Sequence, residues 1–203
     1  MTPERERKFK EVISRRQPDL TLILENIHDP HNISAILRTC DAVGIVEVYV
    51  INTSDLLRKK LGKKSSASAR KWIKVNYFDN VAACVEMLKI KGFAIYATHL
   101  SSDAVGLYDL GLTKPVCLAF GNEHAGVSEE LLRYATGNFI IPMVGMIPSL
   151  NVSVACAVSL YEVYRQRAKG GMYDKPGLST KNIRELYSEW SGEISEAEED
   201  QNV

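Results

Sequence analysis

Two periodicities alternate along the chain. Phe9, Val12 and Ile13 recur at spacings of three and four within a charged stretch and predict a helix over 3–16, ended by Pro18. Leu20–Leu24 (LTLIL) is a continuous apolar run, as a strand buried in a parallel sheet requires. From Ile33 to Val43 the residues Ile33, Ile36, Leu37, Cys40 and Val43 return to helical spacing, and Gly44 stops them. The alternation continues with strands at Glu47–Asn52 and near Val75–Phe78, a helix from Val81 to about Lys91, and strands at Phe93–Thr98 and Val116–Phe120. Ser128 is placed to cap a short helix running through Ala135, and Phe139–Ile141 reads as a further strand. The segment from Val152 to about Ala168 is apolar nearly all round at first, so the first half of that helix is expected to be buried. Gly170 and Gly171 end it, and a last helix lies near Thr180–Trp190.

Strands alternating with helices predict an α/β fold, a mostly parallel sheet with helices on both faces. No internal repeat is visible. A chain of 203 residues that is 45% hydrophobic suits one domain of roughly 150 residues with extensions. The predicted division is an N-terminal basic helix (1–18), a main α/β domain (19–171), and a C-terminal helical arm with an acidic tail (172–203). No apolar run approaches the roughly 20 residues that span a bilayer, and the charged N-terminus lacks a signal-peptide core. A cytoplasmic protein with no membrane partner is expected. Cys40, Cys84, Cys117 and Cys156 lack metal-site spacing and read as buried free thiols. His28 and His31 have no third ligand nearby, so no metal is expected.

The net charge of zero conceals a sharp asymmetry. Residues 58–74 carry eight cations and no acid, beside the small residues Ser65–Ala69, and fit either a phosphate-binding segment or a solvated loop. The first sixteen residues hold six cations against three acids, whereas seven acids and no base follow Arg184. The acidic end reads as a solvating tail.

Ligands of such sheets gather beyond the carboxyl ends of the strands. Three segments of unusual composition fall there. The first is Asn26–Asn32 (NIHDPHN), where Pro30 sets the backbone and Asn32 is a candidate cap; it leads to Arg38, six residues on. Read from its segment alone, Arg38 fits a snorkelling surface residue, an ion-pair partner or a functional cation. The second is Phe120–Ser128 (FGNEHAGVS), where Gly121 permits close backbone approach before a helix N-terminus, without a dinucleotide or Walker signature. The third is Ile141–Ser153 (IPMVGMIPSLNVS), an apolar loop punctuated by Gly145 and Pro148, with Ser149 and Asn151 fitting either helix caps or pocket groups. An apolar loop of this kind packs over a ligand or forms an interface.

In order and spacing, RQPDLTLILENIHDPHNISAILRTCDAVG, LAFGNEHAGVSEELL and IPMVGMIPSLNVSVACAVSLYE resemble the three motifs of the SPOUT family of RNA methyltransferases. The likeness covers about residues 3–190, leaves out the acidic tail, and is nearest to members that methylate the ribose 2′-hydroxyl of guanosine-18 in the tRNA D-loop. It implies a C-terminal trefoil knot, S-adenosyl-L-methionine as methyl donor, and a homodimer packed through the knot region. By resemblance Thr98, Gly121, Ile141 and Leu150 bind the cofactor. Arg38, Asn32, Glu123, Ser149 and Asn151 form the catalytic set, with Arg38 holding the target phosphate and the developing oxyanion. Arg5, Arg7, Lys8, Arg15 and Arg16 are expected to make one RNA-binding surface, with Lys59, Lys60, Lys63, Lys64 and Arg70 making another; the segment 165–169 is a third candidate. The same scaffold also accommodates methylation of rRNA or of another tRNA position, or noncatalytic RNA binding.

Overall fold

The apolar runs become parallel strands. The computed structural model describes residues 1–53, 71–122 and 125–192. Its strands are β1 (Leu20–Glu25), β2 (Glu47–Ile51), β3 (Lys74–Phe78), β4 (Ala94–Thr98), β5 (Val105–Gly106), β6 (Val116–Phe120) and β7 (Gly137–Ile140). They form one sheet in the order β3-β2-β1-β6-β4-β7-β5, and every pairing is parallel. The two-residue β5 is too short to leave a periodic signal.

Alternation along the strands divides the core between two faces. Leu20, Leu22, Leu24, Val48, Val50, Leu118 and Phe120 pack with α2 (Pro30–Ala42) and α5 (Val152–Lys169). Ile23, Tyr49, Ile51, Ile95, Ala97, Cys117 and Ala119 pack with α3 (Val81–Ile90) and α4 (Glu129–Tyr134). Ser128 caps α4 by accepting from the Leu131 N–H, as its position predicts. All four cysteines are free and buried, and burial pushes the Cys84 thiol up to about 12, so they serve packing.

The chain's two ends meet. α1 (Pro3–Ser14) packs on α6 (Thr180–Ser191) through Phe9, Ile13 and Trp190, with Trp72 closing the cluster. The rings of Phe9, Trp72 and Trp190 stack edge-on at centroid distances of 5.1–5.7 Å.

Two arginines depart from the expected surface role. Arg16 is fully buried. Its guanidinium donates to Asp41 Oδ1 at 2.7 Å and to the Ile45 and Trp72 carbonyls, and lies over the Trp190 ring. It therefore ties α1 to α2 and α6 and is no part of an RNA-facing surface. Arg167, within the 165–169 segment, is equally buried. It donates to Gln17, to Asp19, and to the carbonyls of Leu112 and Lys114. Charge counting missed both because guanidinium donors can be met by carbonyls from distant segments. Among the described residues no helix is long and apolar enough to cross a membrane.

Candidate active site

Sheet order brings the second and third motifs together. β6, β4 and β7 are neighbours, so the residues at their carboxyl ends, Gly121, Thr98 and Ile141, stand side by side on one edge. The Thr98 hydroxyl donates to the Ala119 carbonyl at 3.2 Å, and Ile141 packs against the core. The chain turns tightly after β6. Asn122 and Gly126 form a bridge, with the Gly126 N–H on the Asn122 carbonyl at 2.8 Å and Gly126 at φ +69°. Gly121 lies against that turn so closely that a Cβ there would stand 2.1 Å from the Gly126 carbonyl and 2.3 Å from the Val127 nitrogen. Only glycine fits, which gives the second motif its physical meaning. Glu123 lies outside the described residues.

The first and third motifs meet across 119 residues of sequence. Asn151 caps α5, accepting from the Ser153 N–H at 2.9 Å, and its amide donates to Asn32 Oδ1 at 3.1 Å. Asn32 does not cap α2. Asp29 does so, accepting from the His31 N–H at 2.8 Å, because Pro30 occupies the first helical position. Asn32 is thereby inside the first turn, where it reaches the third motif. Arg38 is exposed two turns further along α2.

Among the described residues, the third loop lies open on the surface. Val144 and Met146 are fully exposed, Ile147 is 72% exposed, and Ser149 and Leu150 lie in the same exposed run. The first half of α5 was expected to be buried on every side, yet Val154 and Tyr161 face outward on it. The sheet can cover only one side of a helix, and among the described residues no element covers Val154 or Tyr161.

Arg5, Arg7, Lys8 and Arg15 are exposed on α1. Lys8 and Arg15 both lie within ion-pair distance of Glu11, which tempers their charge, whereas Arg5 rests over the Phe9 ring. Lys59, Lys60, Lys63, Lys64 and Arg70 fall outside the described residues. Sequence reasoning missed Glu25. It stands just beyond the apolar run Leu20–Leu24, but β1 continues through it and buries it, with Oε2 accepting from the Ser128 N–H at 2.8 Å. A lone acid closing an apolar run was the available signal.

A parallel sheet whose motif-bearing loops converge on one carboxyl edge, with a glycine-bound turn and an asparagine bridge, defines a class that comparison with known proteins identifies. The model of the SpoU rRNA methylase family matches residues 19–161, and the chain belongs to that family. It is a methyltransferase of the SpoU type. It is 45% identical over 189 residues to the tRNA (guanosine(18)-2′-O)-methyltransferase of Thermus thermophilus, covering 93% of this chain and 96% of the relative. The crystal structure of the TrmH/SpoU tRNA modifying enzyme of A. aeolicus superposes with a TM-score of 0.85 at 39% identity, over 94% of this chain and 96% of that one. The AdoMet-bound rRNA methyltransferase of Sinorhizobium meliloti gives 0.61 at 29% identity, over 77% of this chain and 59% of that one.

Proposed function

We propose that the chain transfers a methyl group from S-adenosyl-L-methionine to the ribose 2′-hydroxyl of guanosine-18 in the D-loop of tRNA. One observation carries the reading: the Asn32–Asn151 hydrogen bond, which joins the helix bearing Arg38 to the third-motif loop. Likeness to the Thermus enzyme over nearly both full lengths supports the choice of tRNA and of the nucleotide.

The residues fit the cofactor. Thr98, Gly121, Ile141 and Leu150 would hold it, because the three adjacent strand ends and the apolar third loop supply backbone polar groups and an apolar wall, as an adenosine and a methionine chain require. The bound cofactor supplies an electrophilic methyl on sulfonium. The 2′-oxygen gains negative charge as the reaction proceeds. Arg38 donates to that oxygen and to the adjoining phosphate, and the hydroxyl proton leaves to that phosphate or to water as the oxygen–carbon bond forms. Asn32 and Asn151 hold α2 and the loop in register, Ser149 shapes the loop, and Glu123 orients Arg38 or the ribose.

In this reading the third loop is threaded as a trefoil knot, and two copies pack through it and the exposed side of α5. Apolar side chains as open as Val144, Met146, Ile147 and Val154 support a covered face, since patches of this kind mark interfaces. Met146→Asp is therefore expected to shift sedimentation from dimer to monomer; an unchanged dimer would refute that packing. Arg5, Arg7, Lys8 and Arg15, together with the 58–70 cations, meet the tRNA backbone. The division into residues 1–18, 19–171 and 172–203, acting in the cytoplasm, belongs to the same proposal.

The deciding experiment incubates the purified protein and labelled methyl donor with an unmodified tRNA transcript and maps the product. One 2′-O-methyl at guanosine-18 is expected. A methyl at another nucleotide, or no methyl on the transcript, overturns the assignment.

A further inference from the structure

On the other side of the Gly121–Ser128 turn lies a second cleft, for which the function above names no occupant. Its volume is about 290 Å³, and it opens at the carboxyl ends of β1, β2 and β6 among Glu25, His28, Thr53, Asn122, Gly126 and Ser128. That volume is at the lower end of small-ligand sites and suits a single base.

Most of its polar groups satisfy one another, so the exceptions carry information. The Thr53 N–H donates to Asn26 Oδ1 at 3.0 Å, and the Asn26 amide donates to the Thr53 hydroxyl at 3.0 Å. Asn122 Oδ1 accepts from the Ala125 N–H at 3.0 Å. Its amide nitrogen is therefore the group that meets the Asn26 carbonyl and His28 Nδ1, each at 3.1 Å. With Nδ1 accepting from the Asn122 amide, the ring N–H falls on Nε2, which presents a donor. Glu25 is 1% exposed; its Oε2 is taken by Ser128, and its Oε1 has no hydrogen-bond partner among the described residues. Native proteins leave few buried acceptors in that state.

We propose that this cleft reads the base of the target nucleotide as guanine, with Glu25 Oε1 accepting from N1–H and His28 Nε2–H donating to O6. The proposal rests on the ribose-methylating function given above. Guanine sets that donor and acceptor side by side. Adenine reverses both, with an acceptor at N1 and an amino group at position 6. Uracil carries the same pair on a smaller ring, nearer its own ribose. Placement agrees with the chemistry. β1 and β4 flank β6, each about 4.8 Å away, so the cleft and the cofactor residues lie on opposite sides of one turn. Asn32 follows His28 by four residues, a span of at most about 14 Å, so base and ribose of one nucleotide can engage both.

The test uses the full chain under single-turnover conditions, with tRNA transcripts bearing guanosine or adenosine at the target position. Glu25→Gln keeps an acceptor for the Ser128 N–H and sets an amide N–H against guanine N1–H. It is expected to slow transfer to the guanosine transcript by about 10–100-fold, the loss typical of a hydrogen bond to a charged group. Transfer to adenosine stays unchanged or rises, and calorimetric affinity for S-adenosylmethionine is unchanged. His28→Ala lowers the guanosine rate by about 10-fold through the lost O6 contact, with the same cofactor affinity. Equal losses on both transcripts, or a loss of cofactor affinity alongside, would show that Glu25 only anchors the turn through Ser128 and would overturn the proposal; an undiminished guanosine rate would do the same. A methyl mapped to a different nucleotide sinks the function itself. A methyl at the expected ribose, with a guanosine preference that survives Glu25→Gln, sinks only the base-reading cleft.

Discussion

Arg38→Ala is expected to slow methyl transfer by about 10²–10³-fold, the usual cost of removing a donor from a developing oxyanion, while cofactor affinity and melting temperature stay near those of the unaltered protein. Arg38 is exposed on α2, so its removal leaves no cavity and disturbs no packing. In the proposed role it acts on charge that develops on the ribose oxygen only in the transition state. The deficit should therefore fall on the chemical step, read by single-turnover kinetics, and little on binding. Arg38→Lys should recover part of the rate, since a point charge remains but the planar fork that spans oxyanion and phosphate is gone. Weakened cofactor binding with unaltered chemistry in Arg38→Ala would place this residue in the wrong role.

Gly121→Ala is expected to raise the dissociation constant for S-adenosylmethionine by about 100-fold and to destabilise the protein by roughly 1–3 kcal/mol, the range for overpacking a rigid site. The added methyl meets backbone, the Gly126 carbonyl and the Val127 nitrogen, and no flexible side chain can yield. The turn from Asn122 to Gly126 must move, carrying the Ser128 N–H away from Glu25 and opening the edge at β6. Gly111→Ala is the control, because a Cβ there meets nothing within 4 Å. Thermal melts and calorimetry on the pair distinguish a local clash from a general effect of losing glycine. A Gly121→Ala protein that melts and binds like the control would show that the close approach is not needed.

The loss at Gly121 illustrates how much of the site was legible in the chain itself. A glycine at the end of an apolar run announced a close approach, and the approach exists, but its object, the carbonyl of Gly126, is visible only once the turn is closed. The helix cap at Ser128 and the burial of all four cysteines followed from local chemistry and were found as expected. The cap of α2 was misplaced by three residues, because Pro30 makes Asp29 the last non-helical residue and releases Asn32 for a distant partner. Counting charge misassigned Arg16, since the carbonyls and the carboxylate that hold it come from segments 25–56 residues away.

Apolar periodicity, glycine positions and the three loop compositions were enough to determine a parallel α/β sheet and the edge on which its chemistry gathers. These are properties of residues close in sequence, where backbone geometry and solvent alone decide. Which loop ends stand beside one another was decided by strand order, which inserts β6 between β1 and β4 and so sets Glu25 and Thr98 on opposite sides of one turn. Tertiary structure alone also decided that one carboxylate oxygen is spent on Ser128 and the other is left to accept a donor. Pairings of this kind join groups far apart in sequence, 119 residues in Asn32 and Asn151 and 150 in Gln17 and Arg167. They arise only when folding brings distant segments together, and nothing in the local sequence reports that.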